Sequence, residues 1–498
     1  MFVHRSFRVA LLCAAASLVL VGCVTSVAPS RPLVTPGTAN ASEVAVAVET
    51  NGTKHYLWTE CTTSGANTTC PLVYARTLLG TVTYQYVFTA VEGAHNRTPD
   101  IAVTADGRAF IVRGVCTSAN VCTDYYSIIP SVVTDSTIIT SEPLASPANT
   151  STGAPKVKAR GNVVYAVYEV PAGPGPVQPT ELRYRQLSGG TGGGNMTSST
   201  IAQHTAPSLA IDSNAKLHVA WYARSPSGPE RTIFYANNIT VNPAGDMILS
   251  AGGAVVTSSL SYTDLALAGD NTAYFVYSAD NGSSDVIQII KVAGGTSGTI
   301  TIPLTSATAW RVRGTPQIGV FNDKPTVVFS ADNSVTSNNE IWSYTPPASG
   351  PDAGPVRITT NSVQDGEPLL VSENSTAGDV PVVAWRTYTT DVSSLDDELG
   401  LAKERSLLGN DTGAASSSYT TAAELDCYNN AYMFYFNRST LRQIHTGQGG
   451  CFNNGQALAA KGQWVAGIWT DKQSSSSTRL VPWTAFNANM TYVPSVAK

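Results

Sequence analysis

Six cysteines of this chain fall into three pairs that are close in sequence: Cys61 with Cys70, Cys116 with Cys122, and Cys427 with Cys451. Paired thiols bind zinc, cycle between redox states or close a disulfide. None of the pairs has the Cys-x-x-Cys spacing of zinc or redox sites. The spacing suggests local disulfides 61–70, 116–122 and 427–451, although spacing alone does not prove connectivity. His55, His95, His204, His218 and His445 show no metal spacing with one another, and His218 sits in an apolar stretch where a packed histidine is the default. Asp396-Asp397-Glu398 offers oxygens suited to Ca²⁺, but it lacks an Asp-x-Asp-x-Asp-Gly ladder and reads as a solvated acidic loop. There is no Gly-x-Ser-x-Gly elbow and no glycine loop for phosphate. These residues assign no catalytic group, no metal and no cofactor. With a net charge of −5 and no basic patch, the chain is not expected to hold nucleic acid.

The two remaining cysteines, Cys13 and Cys23, belong to an N-terminal stretch of a different kind. Arg5 and Arg8 precede an apolar run at 9–21, the pattern of a secretory signal and too short to span a bilayer comfortably. The run ends in Leu20-Val21-Gly22-Cys23, which resembles the bacterial lipobox. That resemblance implies a signal peptide at 1–22, cleavage before Cys23 and acylation of its thiol. The mature protein would then be anchored to a membrane by lipid, with no spanning helix. Val24 after the cysteine implies the outer membrane in a two-membrane bacterium. Residues 23–40 are rich in Pro, Ser and Thr and read as a tether. Export also suits a chain that keeps disulfides.

The elements that must position any site repeat. "DIAVTADGRAFIV" (100–112), "SLAIDSNAKLHVAWY" (208–222), "DLALAGDNTAYFVY" (264–277) and "QIGVFNDKPTVVF" (317–329) are variants of one sentence. Aligned on the residue expected to precede each first strand, the anchors are Glu43, Pro99, Pro155, Pro207, Thr263, Pro316, Pro368 and Thr421. Successive spacings are 56, 56, 52, 56, 53, 52 and 53 residues, and a further copy begins at 456. Each copy reads strand, tight polar turn, strand, longer loop, strand and a weaker fourth strand. Repeats of this length in strand grammar predict an all-β propeller of four-stranded antiparallel blades. Residues 41–498 are expected to form a single domain, with eight blades favoured over seven and pairing between the chain ends. The copies at 421 and 456 either share the eighth blade or make a shortened blade and a closing segment. A recurring aromatic ends the second strand at Trp58, Tyr168, Trp221, Tyr277, Phe329, Trp385 and Trp469. The same place in every copy implies the same task, packing between blades.

Loops between the second and third strands are long and dissimilar: 59–70, 114–122, 169–181, 223–231, 278–285, 330–339 and 386–398. First-to-second turns are short and read as locally satisfied. A ligand site is therefore expected on the long-loop face. The stretch "SGGTGGGN" (188–195) reads as a flexible connection.

The pattern P-x-L-A-I-D-x-x-x-x-L-H-V-A-W-Y resembles the repeats of sialidase-like propellers of the BNR, or Asp-box, superfamily in bacterial surface lipoproteins, over about residues 41 to 490. The Asp-box itself is incomplete. Ser278-Ala279-Asp280-Asn281-Gly282 starts it but meets Asp285 where an aromatic belongs, and Ser330-Ala331-Asp332-Asn333-Ser334 lacks the glycine. Both read as Asx-type turns. The resemblance also implies three arginines on a substrate carboxylate, a tyrosine nucleophile paired with a glutamate, and an acidic proton donor. Arg97-Thr98-Pro99 is the nearest relative of the family's Arg-Ile-Pro motif, Arg313-Gly314-Thr315-Pro316 is off by one, and Arg224 and Arg386 follow second-strand aromatics. Arg97, Arg224, Arg313 and Arg386 are thus the ligand-binding candidates, and no tyrosine–glutamate pair is selected. The expectation is a monomeric, lipid-anchored, non-enzymatic surface propeller that binds an extracellular glycan or a surface protein. The alternative is a sialidase-like glycoside hydrolase.

Overall fold

The computed structural model describes residues 40–486 apart from 65–66, 79–80, 90–93, 118–120, 135–136, 146–153, 172–179, 191, 198–202, 225–230, 238–248, 251–260, 281–283, 295, 305–308, 334–337, 361–363, 376–377, 389–427, 436–439, 447–450, 462–463 and 475–476. Residues 1–39, with the expected signal peptide, Cys23 and most of the expected tether, lie outside the described residues, as does Cys427.

Strands and turns make up the described chain, and there is no helix among them. The chain is a β-propeller of antiparallel four-stranded blades. The first blade runs through Asn40–Val48, Lys54–Ser64, Leu72–Leu78 and Thr81–Phe88. The second uses His95–Val103, Ala109–Cys116, Cys122–Ile129 and Ser141–Pro143. Third and fourth blades begin at Lys156–Arg160 and Gln203–Ile211, the fifth at Asp264–Leu267, the sixth at Trp310–Phe321 and the seventh at Gln364–Ser375. The last described blade has three strands, Cys451–Lys461, Trp464–Ser474 and Ser477–Phe486.

Burial follows position in the blade. The second strand of the second blade, Ala109–Cys116, is buried at nearly every residue, because blades cover both of its faces. The outermost strand of the first blade, Thr81–Phe88, alternates between exposed and half-buried. Neighbouring blades share apolar seams. Leu57, Tyr74 and Phe88 meet Ile101, Ile111 and Ile129; Val167 and Leu182 meet Leu209 and Trp221; Tyr222 and Tyr235 meet Leu265 and Phe275. The same kind of seam joins the two ends of the chain, where Val46, Tyr56 and Trp58 of the first blade pack on Ala466 and Ile468 of the last. Gly52 (φ 86°) belongs to that seam. A Cβ there would stand 2.3 Å from the Trp464 ring, so no larger residue fits. Lys54 lies buried 5.0 Å from the centre of that ring, and burial lowers its ammonium pKa to about 8.

Closure also repeats the geometry of ordinary junctions. The start of a third strand meets the start of the next blade's first strand by one parallel bridge: Cys70 with His95, Thr180 with Gln203, and Thr478 of the last blade with Asn40 of the first. The six aromatics whose side chains are described, Trp58, Tyr168, Trp221, Tyr277, Phe329 and Trp385, are all buried. Their indole N–H groups are satisfied at the polar end, Trp58 by Glu60 (2.8 Å), Trp221 by His204 (2.9 Å) and Trp385 by Asp365 (3.2 Å).

Four details differ from the sequence reading. First, Pro155 and Thr263 precede their first strands as expected, but Glu43, Pro99, Pro207, Pro316 and Pro368 sit inside theirs at a β-bulge. Register shifts fall between Ser42 and Ala45, Arg97 and Asp100, Thr205 and Ser208, Arg313 and Gln317, and Gly366 and Leu369. The bulge holds a residue at positive φ (Glu43 43°, Thr98 41°, Ala206 51°, Gly314 71°), and it tolerates a proline that brings no N–H to the ladder. Second, the copy anchored at Thr421 does not start a blade. Tyr428–Tyr435 pairs with Gly378–Tyr388 as the third strand of the seventh blade, and Thr440–Thr446 is its fourth. Strand alternation carries no mark of a strand's place in its blade, and the long segment 389–427 shifted the phase. Third, the glycine-rich stretch supplies an outer strand: Gly193–Asn195 pairs with Arg183–Arg185 of the third blade. Fourth, the described part of each incomplete Asp-box is strand, and Asn281, Gly282 and Ser334 lie outside the described residues. Ser278 and Asp280 end the strand Ala273–Asp280, and Ser330 to Asn333 end Lys324–Asn333.

Candidate functional site at the long-loop face

Polar side chains at or next to the anchors tie several blades to the next. Asp100 Oδ2 accepts from Val157 N (2.9 Å) and Asp264 Oδ2 from Ile318 N (2.9 Å). Ser208 Oγ accepts from Leu265 N (3.1 Å) and donates to Asp264 Oδ1 (3.0 Å). The Glu43 carboxylate takes Thr98 N across the junction of the first two blades. Burial raises the Asp264 and Glu43 pKa values, and these N–H bonds pull them partly back. The polar residue directly after the anchor in "PDIAV", "PSLAI" and "TDLAL" was the available sequence signal for this belt.

Two disulfides brace the long-loop end of the first two blades. Cys61 joins Cys70 (Cα–Cα 4.1 Å) and Cys116 joins Cys122 (3.9 Å). Cys116 and Cys122 are register partners at the ends of adjacent strands. Cys61 and Cys70 close the base of a small hairpin, in which Thr62–Ser64 pairs with Asn67–Thr69. Part of the 59–70 loop is therefore an extension of the blade. Below it, Asn96 N and Nδ2 both donate to Cys70 O (2.9 Å each), and Cys70 N donates to Ala94 O (3.1 Å).

Those contacts lead to Arg113, which sequence reasoning missed. It is buried, and its guanidinium donates to Asn96 Oδ1 (2.9 Å), Ser127 Oγ (3.2 Å) and Ser141 Oγ (2.9 Å), 4.4 Å from the Phe88 ring centre. Burial lowers its pKa to about 10. Its place is a staple between the first two blades. The sequence signal was faint, a single arginine in an otherwise apolar strand.

The four candidate arginines lie at the long-loop end of their strands in the second, fourth, sixth and seventh blades. Arg97 is half-buried before the bulge, opposite Gly114, close enough to the Glu43 carboxylate to favour its charged form. It is inside a first strand, not ahead of one, because the bulge lets the strand continue through Pro99. Arg313 holds the matching place in the sixth blade, opposite Ser330, and its Nη2 lies 3.4 Å from Asp332 Oδ2. The aspartate of one incomplete Asp-box is thus the partner of one candidate arginine. Arg224 pairs in register with Gln203, and Arg386 with Gly366. Their side chains lie outside the described residues, as do Asp396, Asp397, Glu398, most of 223–231 and most of 386–398. Among the described residues no group of three or more His, Cys, Asp or Glu could hold a metal ion.

No protein-family model matches the chain, and no curated protein matches it. Solved structures similar to it include an α-L-arabinanase of Penicillium chrysogenum complexed with arabinobiose, at 12% identity and a TM-score of 0.34, covering 61% of this chain and 90% of that one. A Hadza microbial sialidase is similar at 8% identity and a TM-score of 0.35, over 58% of this chain and 63% of its own. A GH93 α-L-arabinofuranosidase of Fusarium graminearum, also with arabinobiose, is similar at 11% identity and a TM-score of 0.34, over 59% and 90%. Likeness at this level leaves activity open.

Proposed function

We propose that the chain is an exported, lipid-anchored, monomeric propeller that binds an extracellular glycan or a surface protein through its long-loop face, without cleaving it. The observation that carries the reading is the state of Arg313. Its guanidinium faces Asp332 within its own blade, where a sialidase-type site would keep it for a substrate carboxylate. Binding loops gain from being held in one shape before the ligand arrives. The two disulfides at one end of adjacent blades supply that restraint.

The rest of the reading follows from sequence and topology together. The leader and Leu20-Val21-Gly22-Cys23 support lipid attachment at Cys23 and an outer-membrane or cell-surface location. The repeated parallel bridge supports an eight-bladed ring over 41–498. It also supports the Cys427–Cys451 disulfide. A third-strand start lies beside the next first-strand start at those bridges, and Tyr428 and Cys451 begin the corresponding strands of the last two blades.

The test is a glycan array and a fluorogenic sialoside assay run on the same full-length preparation. The expected result is retention on the array or on a surface-protein partner, with no release of the fluorophore. Turnover of the sialoside that is lost in Arg97→Ala or Arg313→Ala would replace this reading with a glycoside hydrolase.

A further inference from the structure

The first and fourth blades carry a histidine at the same register, three residues before the core tryptophan: His55 before Trp58, and His218 before Trp221. Both are buried, and both bond through Nδ1 to a third-strand tyrosine, His55 to Tyr74 Oη (2.7 Å) and His218 to Tyr235 Oη (2.6 Å). Six residues before each histidine, directly after the first strand, a carboxylate faces the other ring nitrogen. In the first blade it is Glu49, with Oε1 at 2.8 Å from Nε2. In the fourth it is Asp212, one methylene shorter, with Oδ2 at 3.5 Å and no hydrogen bond to Nε2.

The fourth-blade arrangement therefore keeps a donor and an acceptor side by side. Burial lowers the His218 pKa, which keeps the ring neutral near pH 7. Burial raises the Tyr235 pKa, and Asn237 beside its oxygen pulls it partly back. With the Tyr235 hydroxyl as donor to His218 Nδ1, the neutral ring carries its hydrogen on Nε2. Asp212 Oδ1 is occupied by Asn214 N and Lys216 N (2.8 Å each), which pins the turn and leaves Oδ2 beside His218. The next turn is locked to it, because Ser213 N and Oγ both donate to Asn271 Oδ1 (3.0 and 2.9 Å).

Between these turns is a cavity of about 200 Å³, lined by Asp212, Lys216, His218 and Asn237 of the fourth blade and Asp270 and Asn271 of the fifth, among others. It is on the face of the short first-to-second turns, opposite the disulfides. We propose that this cavity binds one ring of a polyhydroxylated ligand, a saccharide unit. A hydroxyl donates and accepts at once, and a single hydroxyl satisfies His218 Nε2–H and Asp212 Oδ2 together. Further donors and acceptors at Lys216, Asn237 and Asp270 suit additional hydroxyls. The volume is below the roughly 300–1,000 Å³ of clefts for drug-sized ligands, which fits one ring. Two carboxylates beside one ammonium disfavour an anion. The inference stands apart from the long-loop reading, since it uses other residues on the other face.

The test is saturation-transfer NMR on the full chain with methyl glycosides of glucose, galactose, mannose and N-acetylglucosamine, and with ethanolamine and acetate as charged controls. At least one glycoside should bind. Asp212→Glu, which reproduces the closed first-blade pair, and Asp270→Asn, in an exposed turn, should each weaken it at least tenfold. Gly-Ser replacement of 223–231 should leave it unchanged, which separates this site from the long-loop face. If Asp212→Glu does not fold, Asp270→Asn decides alone. Failure of every glycoside to bind, undiminished binding in the folded variants, or preference for a charged control overturns the proposal.

Discussion

The first blade completes its buried histidine with Glu49, whereas the fourth stops short with Asp212, on a common histidine–tyrosine–tryptophan scaffold. Strand, turn and core tryptophan coincide, and so does the tyrosine behind the ring. In the first blade every polar atom of this set is used inside the fold. In the fourth the same scaffold places Asp212 and His218 in the lining of a cavity. The difference teaches that a repeated architecture specialises by small departures at fixed positions. A site is therefore sought where one copy breaks the hydrogen-bond pattern of another.

The strongest challenge to this comparison is to empty the shared core. Trp58→Ala and Trp221→Ala remove side chains that are fully buried in both blades. Each should cost about 3–5 kcal/mol in urea unfolding, by lost burial and residual cavity. A cost in that range for one and near zero for the other would show that the blades are not equivalent scaffolds.

The next largest effect concerns acid. Trp221 donates to His204 Nδ1, where Trp58 uses Glu60 instead. Burial lowers the His204 pKa to about 4, so the unfolded chain takes up that proton first. The stabilisation is complete above about pH 6.5 and is lost as pH falls through the window down to about 4. The shift corresponds to about 3 kcal/mol in order of magnitude. His204→Gln keeps an acceptor for Trp221 and should flatten this part of the pH profile between 7.5 and 4. A wild-type slope retained in the variant would assign the acid loss to other groups.

The smallest effect sharpens the comparison directly. Glu49→Asp should open the first-blade pair to resemble the fourth, at a cost of about 1 kcal/mol for one net hydrogen bond. Denaturant midpoints would register the change, and the His55 ring should shift in NMR. A variant as stable as wild type with an unmoved ring would mean that the 2.8 Å contact contributes nothing, and the closed-versus-open contrast would lose its force.

Much of the architecture was legible in the chain, and the limits are instructive. The alternation in "SLAID" and "LHVAWY" predicts strands, because a half-buried or blade-packed strand places apolar groups at period two or in short runs. The recurring aromatics were legible as packing for the same reason. The bulges were not, because Thr98-Pro99 and Ala206-Pro207 look like a boundary when read without the partner strand. Nor was the ordinal of a strand legible. Tyr428–Tyr435 looked like the opening of a blade, and only pairing with Gly378–Tyr388 makes it a third strand. The turns at 213–216 and 269–271 read as locally satisfied, yet they bond to one another's blades and line a cavity.

Sequence alone determined the class of fold and the repeat and suggested the local disulfides, because periodicity, turn chemistry and short cysteine spacing act over a few residues. Tertiary structure decided which blade a strand joins, that the last blade seats against the first, and that His55 Nε2 has a carboxylate at 2.8 Å while the nearest to His218 Nε2 stands at 3.5 Å. Those outcomes depend on distances between residues far apart in the chain, where a single methylene changes a 2.8 Å bond into a 3.5 Å gap.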